Sequence, residues 1–337
     1  MTEYGLIKIE YDYPEAPKKT SEKMNGKLLV EFFLVTGIIG LAVIGFDKFS
    51  DLFVFLVKKT PLMDYYATSE AMFNIVQSLF SIFAIMLPFL IALLPIKLIQ
   101  GKSARQWPFW TPNNGKFFFA ALAFAFLTVV ASNALVGLST IALESVGFEF
   151  DFEDMPDPKS VGGFFWQILS VAIVPAFVEE FAVRGVMLQS LRKYGDRFAI
   201  VVSSVFFGLM HGNLLQAPFA FLLGVVIAWL VIQTDSLWTG IAIHLMNNVY
   251  ATSLMGLGVI ANDTVYIIVA AAVNIIGALL GVLAIIWIVD KRRGQLRLTD
   301  KYRWRPFVFA VLSIPMTAAF VYFVKICLET VHYVGVS

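Results

Sequence analysis

The segment Glu179-Glu180-Phe181-Ala182-Val183-Arg184 sets two adjacent carboxylates and a guanidinium in a strongly apolar stretch. Ionisable side chains at bilayer depth are costly, and by default they mark a functional site. Two later apolar segments each supply a histidine: His211 follows Phe207 by four residues, and His244 precedes Asn248 by four. A spacing of four puts each pair on one helical face, one turn apart, and the same holds for Glu180 and Arg184. A desolvated glutamate is suited to act as a general base toward water. A neighbouring histidine can hold that water and shuttle its proton, while amide and imidazole N–H groups can stabilise an oxyanion. Glutamate, two histidines and Asn248 thus form a candidate amide-hydrolysis site. Glu179, His211 and His244 would equally suit a metal, since His and Glu are ordinary zinc ligands. Arg184 reads better as the charge partner of a buried carboxylate than as a catalyst. No HExxH, GxSxG elbow or Ser-His-Asp order appears.

The elements that must position these residues are membrane helices. The chain has 337 residues, of which 59% are hydrophobic and only 15% charged, and its mean hydropathy is +0.79. An ordinary soluble domain carries about 25% charged residues. Apolar runs near the ~20 residues needed to cross a bilayer recur along the chain, which predicts an all-α polytopic membrane protein. Nine spans are expected, near residues 28–46, 72–96, 117–141, 162–183, 198–213, 217–233, 237–253, 264–289 and 307–326. The polar first 27 residues do not read as a secretory signal, so the first apolar stretch is expected to stay as a helix.

Charge chooses a side. The N-terminus, the loop after span two, the turn after span four and the loop after span eight hold 20 of the 25 lysines and arginines. Half of the 24 acidic residues, notably those from Glu144 to Asp157, fall on the other side, which holds only five basic ones. The positive-inside rule therefore predicts a cell-membrane protein with a cytoplasmic N-terminus. The basic segment Lys291–Arg305 is read as a topology anchor at the lipid surface rather than a nucleic-acid site. Four regions follow: a cytoplasmic tail (1–27), three N-terminal helices (28–158), a core holding the chemistry (159–255) and C-terminal helices (256–337).

Spacing also brings the polar groups together. From Glu180 to Gly195 is 15 residues, ~22 Å of helix at 1.5 Å per residue, and from Gly195 to His211 is 16. A hairpin turning at Tyr194-Gly195-Asp196 would return His211 to the depth of the glutamates. Among the other polar residues, Glu31 is expected to snorkel or pair with a lysine. Asn74, Gln77, Asn133 and Gln167 should join helices, and Pro88 and Pro95 should kink or end theirs. Cys327, the single cysteine, is expected to be a small buried residue of the last helix.

In these motifs the chain resembles the CPBP (Abi/CAAX-protease) family of intramembrane proteases, which includes the type II CAAX prenyl endopeptidases. The family pattern EExxxR, FxxxH and HxxxN is met by Glu179-Glu180 with Arg184, by Phe207 with His211, and by His244 with Asn248, over roughly residues 160–255. The spans outside that stretch are expected to add little. The resemblance implies an endopeptidase acting near a membrane surface on a membrane protein or peptide, without a required cofactor, zinc being the alternative. It assigns water activation to Glu179 with His211, the oxyanion site to His244 and Asn248, and support to Glu180, Arg184 and Phe207. The short loops and the absence of an internal targeting sequence give the chain a bacterial look, and its substrate and oligomeric state stay open. Two rival readings stand beside it: a non-proteolytic scaffold or bacteriocin-immunity protein that keeps the fold, and a transporter using Glu179, Glu180 and the histidines as a proton relay.

Overall fold

The computed structural model describes residues 24–62, 69–101, 115–151, 158, 160–292, 298–299, 302 and 305–335. Most of the N-terminal tail, the break between Gly101 and Gly115, the acidic run beyond Asp151 and much of the basic segment after Lys291 lie outside the described residues.

The chain is an all-α polytopic membrane protein with one small ribbon. Its elements are α1 (Gly26–Lys58), α2 (Glu70–Gln100), α3 (Gly115–Glu144), β1 (Phe148–Phe150) and α4 (Val161–Tyr194). They continue with α5 (Asp196–Leu209), α6 (Gln216–Thr234), α7 (Leu237–Ile260), α8 (Asp263–Arg292), α9 (Arg305–Leu312), α10 (Ile314–Glu329) and β2 (Val331–Tyr333). Seven of the nine expected spans lie within one helix each, while the fifth runs past the end of α5 and the ninth is divided between α9 and α10. Among the described residues six helices are long and apolar enough to cross a membrane, and α9 with α10, bent by 81°, make a seventh if taken as one span. The other two expected spans are α5 and α7. With 14 residues, α5 extends ~21 Å, short of the ~30 Å hydrocarbon core. With 24 residues α7 is long enough, but it carries His244, Asn247 and Asn248 and is not among the six.

Proline shapes two of the long helices. It lacks an N–H, and its ring crowds the carbonyl four residues back. Pro88 is preceded by a π-helical stretch at Ser81–Met86, and Pro175 by one at Ile168–Ile173. The wider turns absorb the misfit. Pro88 and Pro95 therefore leave α2 continuous from Glu70 to Gln100.

The core lies where the second half of α4 meets α5 and α6. Val183, Met187, Leu188, Leu191, Tyr194, Phe198, Ile227 and Leu230 are all buried there. The α4–α5 turn occurs at Gly195, whose φ of 140° favours glycine. Arg192 Nε donates to Asp196 Oδ1 at 2.8 Å, and Asp196 also accepts the Thr299 amide at 2.8 Å, so the turn is pinned. Glu31 of α1 binds Lys193, as expected of a carboxylate near the end of a span. On the far side α8 packs along α3 while most of its surface faces outward. Asn74 of α2 accepts the Ser170 hydroxyl of α4, which joins those two helices. Cys327 is buried in α10.

Candidate active site

The site is built on α4. The α-helical stretch Val174–Glu180 stands between the π-helical turns Ile168–Ile173 and Phe181–Leu188. Such turns recur at functional sites because they re-aim side chains and break the regular backbone ladder. Here they frame the two glutamates, whose surroundings differ sharply. Glu180 has no exposed side-chain surface, whereas that of Glu179 is 20% exposed.

Glu180 is tied from two sides. Arg184 Nη1 donates to its Oε1 at 2.8 Å, and His244 Nδ1 reaches the same oxygen at 3.0 Å. With the carboxylate as acceptor, Nδ1 of His244 carries the proton. That bond aims Nε2 of the same ring toward Glu179, whose Oε2 lies 3.9 Å away. Arg184 is fully buried and makes two further contacts: Nη2 donates to the Gly224 carbonyl at 3.3 Å, and the guanidinium lies 4.1 Å from the Phe207 ring centroid. Hydrogen bonds and the ring face together offset the cost of a buried cation.

Phe207 is the hub of the cluster. Beyond Arg184, its ring meets His211 edge-on at 5.1 Å and His244 edge-on at 5.5 Å. Helix α5 ends at Leu209, so His211 stands in the turn beyond it rather than within a helix as the sequence suggests. Its Nδ1 is 2.7 Å from the Phe207 carbonyl and donates to it, closing one of the carbonyls a helix end leaves open. Nε2 of His211 is then the free lone pair. The hairpin of α4 and α5 thus sets His211 against the Phe207 ring, which also meets His244 and Arg184.

Asn248 sits one turn beyond His244. Its Nδ2 donates to the Val171 carbonyl at 3.2 Å, within the first π-helical turn of α4, and its Oδ1 accepts from Asn247 Nδ2 at 3.0 Å. One N–H of the Asn248 amide remains uncommitted by these bonds.

The sequence reading missed three contributors. A Cβ on Gly240 would lie 2.7 Å from Glu180 Oε2, and one on Gly224 would lie 3.2 Å from Arg184 Nη2. These two glycines let α7 and α6 close on the ion pair. Asn247 is the third, since it fixes which way the Asn248 amide faces. Small residues in apolar helices were the available signal for the glycines, because they mark close helix approach. Among the described residues no group of three His, Cys, Asp or Glu side chains is placed to hold a metal ion.

Residues 161–250 match the family model described as Type II CAAX prenyl endopeptidase Rce1-like, a stretch that runs from the start of α4 into α7. It contains every residue of the cluster above. No curated protein and no solved structure matches the chain.

Proposed function

Since residues 161–250 carry a domain of the type II CAAX prenyl endopeptidase Rce1-like family, we propose that the protein is an intramembrane endopeptidase in which Glu179 activates the attacking water. The observation that carries this reading is the division between the glutamates. Glu180 is sealed and holds Arg184 and His244, while Glu179 is partly open, with His244 Nε2 lying 3.9 Å from its Oε2.

The steps use only the groups described. Glu179 takes one proton from water, while the other hydrogen stays on the oxygen and hydrogen-bonds to Nε2 of His211, which holds the water in line. The hydroxide oxygen bonds to the scissile carbonyl carbon, and the carbonyl π pair moves to oxygen. His244, whose Nδ1 is held by Glu180 Oε1, faces the oxyanion together with the uncommitted N–H of Asn248. Preorganised donors of this kind are worth roughly 10²–10³ in rate each. Glu179 returns its proton to the nitrogen as the C–N bond breaks. We propose that these steps proceed without a metal ion.

We place the protein in the cell membrane of a bacterium, with nine crossings and a cytoplasmic N-terminus. The clustering of 20 of 25 basic residues on one side supports this orientation. The substrate is a membrane protein or membrane-bound peptide. A second reading, a non-proteolytic scaffold or immunity protein, draws on one observation: Asn248 already spends one donor on the Val171 carbonyl.

Quantitative mass spectrometry of peptide termini would compare membranes holding wild type, Glu179→Ala and His211→Ala at matched abundance. Termini that appear with wild type alone establish proteolysis and identify the substrate. Identical termini in all three would transfer the assignment to the scaffold.

A further inference from the structure

The C-terminal helix lies outside the stretch that matches the family, yet it touches the turn that carries His211. Both flanks of that turn are bonded to α10. On one side Cys327 Sγ donates to the Leu209 carbonyl at 3.6 Å, two residues before His211. On the other the Leu214 amide donates to Thr330 Oγ1 at 3.2 Å, three residues after it. Between them Gly212 has φ +70°, and Ile326 Cγ2 lies 3.6 Å from where its Cβ would stand.

Thr330 is held in turn. Its hydroxyl donates to the Cys327 carbonyl at 2.8 Å, which leaves an Oγ1 lone pair facing Leu214. Its own carbonyl accepts the Asp151 amide at 2.9 Å, where β1 pairs antiparallel with β2. The ribbon is closed again by the Val334 amide on the Gly147 carbonyl at 2.8 Å. Thr330 thereby connects the end of β1, the end of α10 and the His211 turn. Irregular backbone in a membrane protein survives where protein groups satisfy it, and these bonds do so here.

We infer that Thr330 is a positioning residue for His211, acting through Leu214, with Cys327 as a weaker second tie. The inference rests on the proposed reading only for its effect on cleavage; the bond itself does not. Thiol donors are weak, so the hydroxyl carries most of the restraint.

The test uses the full-length protein in lipid nanodiscs as wild type, Thr330→Val and Thr330→Ser. Valine keeps the shape and loses the hydroxyl, and serine restores it. Hydrogen exchange is followed by mass spectrometry over peptides spanning residues 209–217, and terminal-peptide formation is followed in matched membranes. With valine, exchange in that segment is expected to quicken about tenfold, the size of one lost hydrogen bond, while the remaining helices keep their rates. Cleavage falls by a similar factor, and serine reverses both. Unchanged exchange with valine overturns the inference. So does acceleration spread over all helices, which marks a fold-wide role, or local acceleration with undiminished cleavage. Should wild type form no new termini, the endopeptidase reading fails, and the exchange measurement alone decides the tie.

Discussion

Gly240→Ala is the sharpest perturbation of the cluster because it adds one methyl group and no charge. The new carbon would lie 2.7 Å from Glu180 Oε2, 2.9 Å from Val231 Cγ2 and 3.2 Å from Ile227 Cγ2. Ordinary contact needs about 3.4–4 Å, so the carboxylate must retreat by roughly 0.7 Å or α7 must move outward. The carboxylate is not free to retreat, since its other oxygen holds Arg184 at 2.8 Å and His244 at 3.0 Å. Overpacking of a tight core costs about 1–3 kcal/mol. The shift also passes directly to His244, and a misplacement of about 1 Å can lower a rate about 10²-fold. We expect a loss of between 10- and 100-fold in terminal-peptide formation, with lower thermal stability in detergent. Gly137→Ala is the control, because no atom lies within 4 Å of its added carbon. Full activity of Gly240→Ala at normal abundance would refute the claim that Glu180 fixes His244.

Further outcomes follow from the same geometry. Glu179→Gln is expected to abolish cleavage with an unchanged melting temperature, whereas Glu180→Gln lowers stability, because only Glu180 is sealed in an ion pair; thermal unfolding beside the cleavage assay separates them. Arg184→Ala leaves the Glu180 charge without its guanidinium and should cost about 3–5 kcal/mol, read as lost abundance in the membrane. Arg184→Lys is expected to rescue it poorly, since an ammonium cannot serve Glu180, the Gly224 carbonyl and the Phe207 face together. Exhaustive chelation followed by dialysis is expected to leave cleavage intact, and restoration of a lost rate by added zinc would overturn the metal-free mechanism.

Much of this protein is legible in one dimension because the bilayer is a severe solvent. It demands long apolar helices with their backbone groups paired, so the spans near α1, α2, α3, α6 and α8 appear directly as runs of hydrophobic residues. The same severity makes Glu179, Glu180, Arg184, His211, His244 and Asn248 conspicuous, and a four-residue spacing already declares which share a face. Hairpin arithmetic around Gly195 even predicts that His211 returns to the glutamates. What the sequence leaves open is which of two neighbouring carboxylates is sealed. That choice depends on the rotation of α4 between two π-helical turns, and on whether Gly224 and Gly240 let α6 and α7 close over Glu180. Nor does the sequence show that His211 lies beyond the end of its helix, tied on both flanks to α10 by bonds spanning 118 and 116 residues. Composition and periodicity report how each segment meets its solvent, but such ties depend on how segments meet one another, and only the packed helices decide that.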